Sequence, residues 1–301
     1  MTPRWATTVI FAVNGAAVGT WVAQIPWVQE RFDLSKSTVG LLILAMAISV
    51  ILALPIAGQA VVRHGSERMT LAGGVVCVLA VNLPIAAPTP LLVAAGLFVL
   101  GGASATMDVS MNSHGVSVEK ALGRPIMSSL HAGWAFGGMG GAGFVALCHA
   151  LGLEAHVLTA IASAVMLTVL LYAARRLGHG SAAEGDDTPG FTFPSRGVVL
   201  LAVLCFLVMI TEGAMADWSG LYMRQDLGAS AAVAALAYSF FTGGMASPSC
   251  IAPGVSPLGP VTTRALNTCR RTGWASAANA RTMSFSSMFP EYWNSWWRAS
   301  C

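Results

Sequence analysis

Long apolar runs alternate with short polar turns along most of the chain. Val39 to Ala57 and Met69 to Met107 contain no charged residue. A run of about 18 or more apolar residues is typical of a membrane-spanning helix. The pattern therefore predicts an all-α membrane protein with about eight transmembrane spans. We place the spans near 5–28, 37–61, 69–87, 90–112, 127–151, 155–174 and 197–223, with an eighth that begins near 229.

The composition agrees with this pattern. Hydrophobic residues make up 55% of the 301 residues and charged residues 10%, whereas a soluble domain carries about 25% charged residues. The net charge of +3 is too small to indicate a nucleic-acid partner. No C-x-x-C pair occurs among the six cysteines, so no metal, cofactor or disulfide framework is predicted. We expect the lipid bilayer and a small-molecule substrate as partners, and no protein partner is indicated.

Basic residues are distributed unevenly between the two sets of connections. The N-terminus and the 2–3, 4–5 and 6–7 connections hold eight Lys and Arg, and the opposite connections hold three. Cytoplasmic loops carry the excess of positive charge in membrane proteins. We therefore expect a cytoplasmic N-terminus and an inner-membrane location. The eight are Arg4, Arg63, Arg68, Lys120, Arg124, Arg175, Arg176 and Arg196, and the three are Arg31, Lys36 and Arg224.

The spans define four regions. Residues 1–176 are predicted to form a complete six-helix N-terminal half, 177–196 a cytoplasmic linker and 197–246 part of a second half. The tail 247–301 has no helical or strand period, yet it holds four of the nine tryptophans and three of the six cysteines. Disordered tails are usually poor in both residue types. We therefore favour a frameshift, splicing or gene-model error in the tail over a genuine disordered segment.

Two regions of the chain resemble each other. Residues 14–21 read NGAAVGTW and are followed at 33–37 by DLSKS, while residues 212–218 read EGAMADW and are followed at 226–230 by DLGAS. The offset is about 193–198 residues throughout. Span 1 thus matches span 7, as in transporters built from two parallel six-helix halves.

A short basic turn, GQAVVRHGSER, joins the second and third spans. The spacing of Gly58, Arg63, Gly65 and Arg68 resembles the signature loop between helices 2 and 3 of the major facilitator superfamily of transporters. That loop has an acid just before the first arginine, where this chain has Val62. The resemblance implies a gating loop whose arginines bind carboxylates or helix C-terminal carbonyls when the cytoplasmic side closes.

Two further stretches resemble a bacterial branch of this superfamily, near the fucose-permease-like sugar/proton symporters. They read WVAQIPWVQERFDLS from Trp21 and MDVSMNSHGVSVE from Met107. This resemblance implies a bundle of the major facilitator type that moves a small, sugar-like solute by alternating access. In such symporters an acid in helix 4 is associated with proton coupling, and Asp108 lies in the matching helix.

Polar side chains inside spans are functional candidates because their burial in lipid is costly. Asp108 and Asn112 lie at i and i+4, on one face of span 4. Asp108 belongs to a proton pathway, or it caps the cytoplasmic end of span 4 or pairs with a basic loop residue such as Arg124. His131, which opens span 5, either titrates in that pathway or is solvated at the helix end.

Span 7 carries Glu212, Asp217 and Trp218. Five residues correspond to about 140° around an ideal helix, so the two acids share a face only if the helix breaks at Gly213. We expect one acid to face the central cavity and the other to lie at the outer mouth beside Trp218. The alternative, more favoured for Asp217, is an interfacial acid paired with Arg224.

Span 1 offers Asn14, Trp21 and Gln24 as substrate contacts. Asn14 and Trp21 are seven residues apart and share a face, and Gln24 lies further round. An amide and an aromatic ring that face a cavity suit a polar organic solute. The alternative is interhelical hydrogen bonding together with an interfacial tryptophan.

Glycines recur every fourth residue in span 5, at Gly133, Gly137 and Gly141. This spacing favours close helix packing. It also resembles the antiporter motif of helix 5 in the superfamily, which has a proline where Gly138 stands. The departure favours symport over antiport.

Three functions compete. A secondary transporter explains the spans, the repeat and the basic turn. A multi-pass enzyme would require clustered His and acids, and the only candidates, His114, Glu119 and His131, have no zinc or nucleophile spacing; we expect no enzyme. An inactive transporter fragment is the third reading, because alternating access needs both halves. On this reading we expect that the polypeptide does not transport by itself.

Overall fold

The helices of the structure follow the predicted spans. The structure is a computed structural model that describes residues 2–177 and 196–251. All regular elements in these two ranges are helices, which confirms the all-α prediction. In chain order they are α1 (Pro3–Val22), α2 (Ile25–Arg31), α3 (Lys36–His64), α4 (Ser66–Ala80), α5 (Leu83–Ala86), α6 (Pro90–Leu122), α7 (Met127–Ala150), α8 (Ala155–Ala174), α9 (Arg196–Gln225) and α10 (Ala231–Ile251). Almost all of the predicted linker and tail lies outside the described residues.

Some helix boundaries differ from the prediction. Spans 1 and 3 each consist of a long and a short helix, α1 with α2 and α4 with α5. α6 does not end near residue 112 but continues to Leu122, where Gly123 at φ 63° forms a left-handed cap. The polar stretch that suggested a loop is helical because some of its side chains pack inward. His114, for example, is only 2% exposed.

Six helical segments in the described residues are long and apolar enough to cross a membrane. They are Pro3–Arg31, Lys36–His64, Ser66–Ala86, Pro90–Leu122, Ala155–Ala174 and Ala202–Gln225. α7 and α10 occupy the positions of predicted spans 5 and 8 without belonging to this set. Glycines and polar residues make α7 less apolar, and the apolar part of α10, Ala231–Met245, is shorter. Their assignment as spans stays a prediction.

α1 and α7 pack with their backbones almost in contact. A methyl group at Gly137 would lie 2.0 Å from the backbone oxygen of Ala12, and one at Gly141 would lie 2.3 Å from that of Ala16. The contacts advance in the same direction on both helices, so the helices run parallel. The glycines of span 5 therefore pack against α1, as their spacing indicates.

α7 also contacts α10, on a surface that adjoins the one against α1 at Gly138. Gly243 faces Met139, whose Sδ would lie 2.9 Å from a methyl group at that glycine. α6 packs against both α3 and α4, while α9 is held mainly by α10 and α2. Every residue from 202 to 210, in the N-terminal part of α9, is exposed. The core of the described structure thus lies among α1, α4, α6, α7 and α8.

Candidate functional site

One face of α7 carries polar and aromatic groups that meet three other helices. His131, Trp134 and Gly138 lie at i, i+3 and i+7, so they follow one another along a single face. We call this surface the α7 polar face. The His131 ring lies edge-on to the ring of Phe11 in α1, with the ring centroids 5.4 Å apart. One turn further on, Trp134 Nε1 donates a hydrogen bond to Asn14 Oδ1 at 2.9 Å.

Asp108 lies beside the first turn of the α7 polar face. Its Oδ1 accepts a hydrogen bond from Asn112 Nδ2 at 3.1 Å, and His131 is its titratable neighbour on α7. Since α6 covers Pro90–Leu122, Asp108 is well inside the helix and does not cap its end. It forms no ion pair with Arg124 among the described residues. The structure therefore joins Asp108 to Asn112 by a hydrogen bond, and their part in a proton pathway with His131 stays a prediction.

α1, α7 and α10 meet further along the α7 polar face. A methyl group at Gly138 would lie 3.4 Å from Tyr238 Cε1 and 3.6 Å from the backbone oxygen of Gly15. Asn14, the neighbour of Gly15, is only 2% exposed. Its Nδ2 has no hydrogen-bond partner among the described residues. A buried donor without a partner is costly, which makes Asn14 a candidate for contact with a bound solute.

The two acids of α9 do not share a face, because the helix is unbroken from Arg196 to Gln225 and five residues turn it by about 140°. The side chains of Glu212 and Asp217 are both partly buried. The alternative in which Asp217 pairs with Arg224 is wrong, because Arg224 binds Glu30 instead. Neither acid forms an ion pair within the part of the chain that the structure describes.

Trp21, Gln24 and Trp218 make contacts of other kinds. Gln24 is fully buried, with Nε2 donating to the backbone oxygen of Thr20 at 2.9 Å and Oε1 accepting from Thr159 Oγ1 at 3.0 Å. Its amide therefore joins α1 to α8. Trp21 is 3% exposed and belongs to the hydrophobic core, whereas Trp218 is 39% exposed. Their substrate roles stay predictions.

The basic turn contains the end of α3 and the start of α4. Gly65 separates the two helices with φ at 86°, a conformation that favours glycine. Gly58 and Arg63 are in α3, and Arg68 is in the first turn of α4. Both arginines are exposed, and neither takes part in an ion pair within residues 2–177 and 196–251. The described residues thus supply no partner for the proposed gating loop.

Four charged residues connect α2 and α3 to α9 and the turn after it, at the end opposite the basic turn. Arg224 binds Glu30 through Nε and Oε1 at 2.5 Å and through Nη2 and Oε2 at 3.3 Å. Lys36 Nζ lies 3.4 Å from Asp226 Oδ2. We call these residues the α2–α9 charge cluster. It joins the two regions that the internal repeat relates, although sequence reasoning assigned none of these contacts.

Reversing one charge of this cluster is expected to weaken it. Arg224→Glu should lower the free energy of unfolding by about 1 kcal/mol, because two carboxylates then face each other at a partly exposed site. Glu30→Arg should have a similar effect, and combining the two should recover about half of the loss. Recovery is incomplete because Arg224 also donates to the backbone oxygen of Ala229. Thermal unfolding of the four proteins measures this coupling, and strictly additive losses would contradict it.

Sequence reasoning missed Trp134 and Tyr238 as site residues. Trp134 follows His131 by three residues, so a helical projection of span 5 would have placed both on one face. Tyr238 lies one turn before Thr242, and two polar groups on one face of an apolar span were a usable signal. What the sequence does not contain is the pairing of α10 with α7, which brings Tyr238 to Gly138.

The family comparison decides between a transporter and other membrane proteins. A sequence model described as Major Facilitator Superfamily matches residues 7–297. The chain belongs to the major facilitator superfamily. The prediction made from the basic turn is therefore confirmed, and membership identifies a multi-pass membrane transporter family rather than an enzyme. The match continues past residue 246, where the sequence analysis ended the resemblance; the origin of the tail stays a prediction.

Curated relatives of the chain also carry transporter names. It is 35% identical over 237 residues to an uncharacterized MFS-type transporter of Yersinia pestis, covering 78% of this chain and 61% of the relative. It is 30% identical over 293 residues to the uncharacterized transporter y4wD of Sinorhizobium fredii, covering 96% and 73%. Membrane protein MosC of Rhizobium meliloti is 28% identical over 242 residues, covering 77% and 56%. The chain thus spans about three-fifths of the length of the Yersinia pestis relative.

Proposed function

We propose that this member of the major facilitator superfamily is a proton-coupled symporter for a small, sugar-like solute, near the fucose-permease-like branch. The observation that carries the proposal is the α7 polar face. It brings Asn14 of α1 and Tyr238 of α10 to successive turns of α7. A binding site between helices of two repeats is the arrangement expected of such transporters.

The proposed proton site consists of Asp108 and His131. Asp108 is exposed, and among the described residues only the Asn112 amide donates a side-chain hydrogen bond to it. A carboxyl group within a span is suited to exchange a proton when no positively charged side chain binds it, because its negative charge is then not permanently compensated. His131, in the first turns of α7, would pass the proton to the basic end of the bundle. We place that end and the N-terminus in the cytoplasm, with the protein in the inner membrane.

A second candidate, an inactive transporter fragment, is favoured by a different observation. Residues 202–210 of α9 are all exposed, and few residues in the apolar part of α3 are buried. Within the described residues, no helix covers these surfaces of α9 and α3. A transport path along the centre of a bundle needs helices on every side of it.

Uptake into vesicles tests the two candidates. The purified full chain is reconstituted into liposomes, and entry of radiolabelled fucose is followed with an acidic exterior. Symport predicts accumulation above the external concentration, which a protonophore abolishes. If fucose equilibrates across the membrane without accumulating, proton coupling is contradicted but transport is not. If no more fucose enters than in protein-free liposomes, transport is contradicted and the inactive fragment is favoured.

A further inference from the structure

A groove separates α3 from α4, and α6 forms its floor. α3 and α4 each pack closely against α6 but touch each other much less. A methyl group at Gly102 of α6 would lie 2.9 Å from Ser49 Oγ of α3, and one at Gly73 of α4 would lie 2.9 Å from the backbone nitrogen of Met107. The space left between α3 and α4 has a volume of about 630 Å³, which is in the range of small-ligand pockets. We call it the α3–α4 groove.

The walls of the α3–α4 groove are apolar. Within the described residues its only two polar side chains are Ser49 and Thr106, and each already donates a hydrogen bond to a backbone oxygen. The rim is exposed, as Leu52 and Ile56 of α3 show, and all three helices belong to segments that are apolar enough to cross a membrane. A polar ligand in the groove would lose hydrogen bonds with water, which is costly. A lipid acyl chain would lose none.

Two arginines of the basic turn lie at one end of the α3–α4 groove. Ile56, which lines the groove, and Arg63 are seven residues apart on α3, so they share a face and lie about 10 Å apart along the helix axis. On α4, Arg68 precedes the groove residues Ala72 and Val76 by four and eight residues, and all three are exposed. Both walls of the groove therefore end in a guanidinium group, and they do so at the same end.

The charge at this end of the groove is positive. Neither Arg63 nor Arg68 takes part in an ion pair with the residues that the structure describes. Glu67 is the one acid of the basic turn, and it lies two residues before Met69, which lines the groove. Two residues turn a helix by about 200°, so the Glu67 carboxylate is on the other side of α4. Guanidinium groups match the geometry of phosphate oxygens, and a phosphate would supply the missing negative charge.

We propose that the α3–α4 groove binds an anionic phospholipid, with one acyl chain in the groove and the headgroup phosphate at Arg63 and Arg68. Basic pockets between transmembrane helices bind anionic headgroups on the cytoplasmic side of membranes, and the basic turn is expected on that side. A free phosphate would use the arginines alone, whereas a phospholipid uses the apolar walls as well. The groove is separate from the α7 polar face, so the proposal does not depend on the proposed function.

Lipid binding to the purified full chain tests the proposal. Dioleoyl phosphatidylglycerol or dioleoyl phosphatidylcholine is titrated into the protein in detergent, and bound lipid is measured by native mass spectrometry. We expect phosphatidylglycerol, which is anionic, to bind at least fivefold more tightly than zwitterionic phosphatidylcholine. Arg63→Gln and Arg68→Gln should each weaken phosphatidylglycerol binding at least threefold and change phosphatidylcholine binding little. Ala72→Trp places a large side chain in the groove and should weaken the binding of both lipids at least threefold.

Arg176→Gln is the matched control. It removes the same charge just beyond the end of α8, a helix that contributes no residue to the α3–α4 groove. This variant should bind both lipids as the unmodified chain does. Arg63, Arg68 and Ala72 are all exposed, so we expect the test variants to unfold at the temperature of the unmodified chain when no lipid is added.

Four results would overturn the proposal. Equal binding of the two lipids, or a loss in Arg176→Gln as large as that in Arg63→Gln, would show that the basic turn does not select the headgroup. Phosphatidylglycerol binding that survives Ala72→Trp would show that the acyl chain lies elsewhere. Displacement of the lipid by millimolar inorganic phosphate would show that the arginines hold a free anion. A chain that retains no lipid and forms a dimer would show that a second copy covers the groove.

Discussion

Gly137→Ala is expected to lower the unfolding temperature by roughly 5–10 °C. The added methyl group would lie 2.0 Å from the backbone oxygen of Ala12, and a backbone atom cannot turn aside as a side chain can. α1 and α7 must therefore separate, which disturbs the hydrogen bond between Trp134 and Asn14 as well as the packing. Overpacking of this kind costs about 1–3 kcal/mol, and that cost gives a temperature shift of this order. Thermal unfolding in detergent, followed by circular dichroism, measures the effect.

Gly140→Ala is the matched control for this prediction. It makes the same substitution in the same helix, three residues further on, and nothing lies within 4 Å of the added methyl group. Alanine is favoured over glycine in a helix by about 1 kcal/mol, so this variant should unfold at a slightly higher temperature. Opposite signs at Gly137 and Gly140 would establish close approach as the cause. A stabilised Gly137→Ala protein would show that α1 and α7 do not pack as described.

The spans could be predicted from the sequence because membrane insertion imposes a simple pattern. Apolar length alone placed α3, α8 and α9 within a few residues, and the recurrence of Gly133, Gly137 and Gly141 indicated a packing face correctly. The same reasoning ended span 4 too early. It treats every polar residue as facing water, whereas His114 faces protein inside a helix that continues to Leu122.

The candidate site could be predicted only in part, because it is made of contacts between helices. The pair of Asp108 and Asn112 follows from their spacing within one helix, and the structure shows the hydrogen bond. The pair of Trp134 and Asn14 depends on how α1 and α7 are aligned, which no local pattern encodes. Gln24 is the converse case. Its polarity suggested that it faces a cavity, but inside the core its side-chain oxygen accepts a hydrogen bond from Thr159 of α8.

Asp108→Asn is expected to abolish accumulation of solute while leaving exchange intact. The carboxamide has nearly the shape of a protonated carboxyl group and can still accept the hydrogen bond from Asn112. It cannot release a proton, so the carrier would remain locked in the equivalent of its protonated form. A pH gradient of one unit provides about 1.4 kcal/mol per proton, which corresponds to about tenfold accumulation. The variant should therefore fall from about tenfold to no accumulation in the liposome assay, while exchange of labelled for unlabelled fucose continues.

Asp33→Asn controls for the loss of one negative charge. Asp33 lies in the loop between α2 and α3 at φ 49°, a conformation that asparagine tolerates well, and it has no part in the proposed site. This variant should accumulate solute as the unmodified chain does. If Asp108→Asn still accumulated solute, the proton would have to be carried elsewhere, and Glu212 and Asp217 would become the groups to test. If exchange were lost together with accumulation, Asp108 would contribute to solute binding rather than to proton coupling alone.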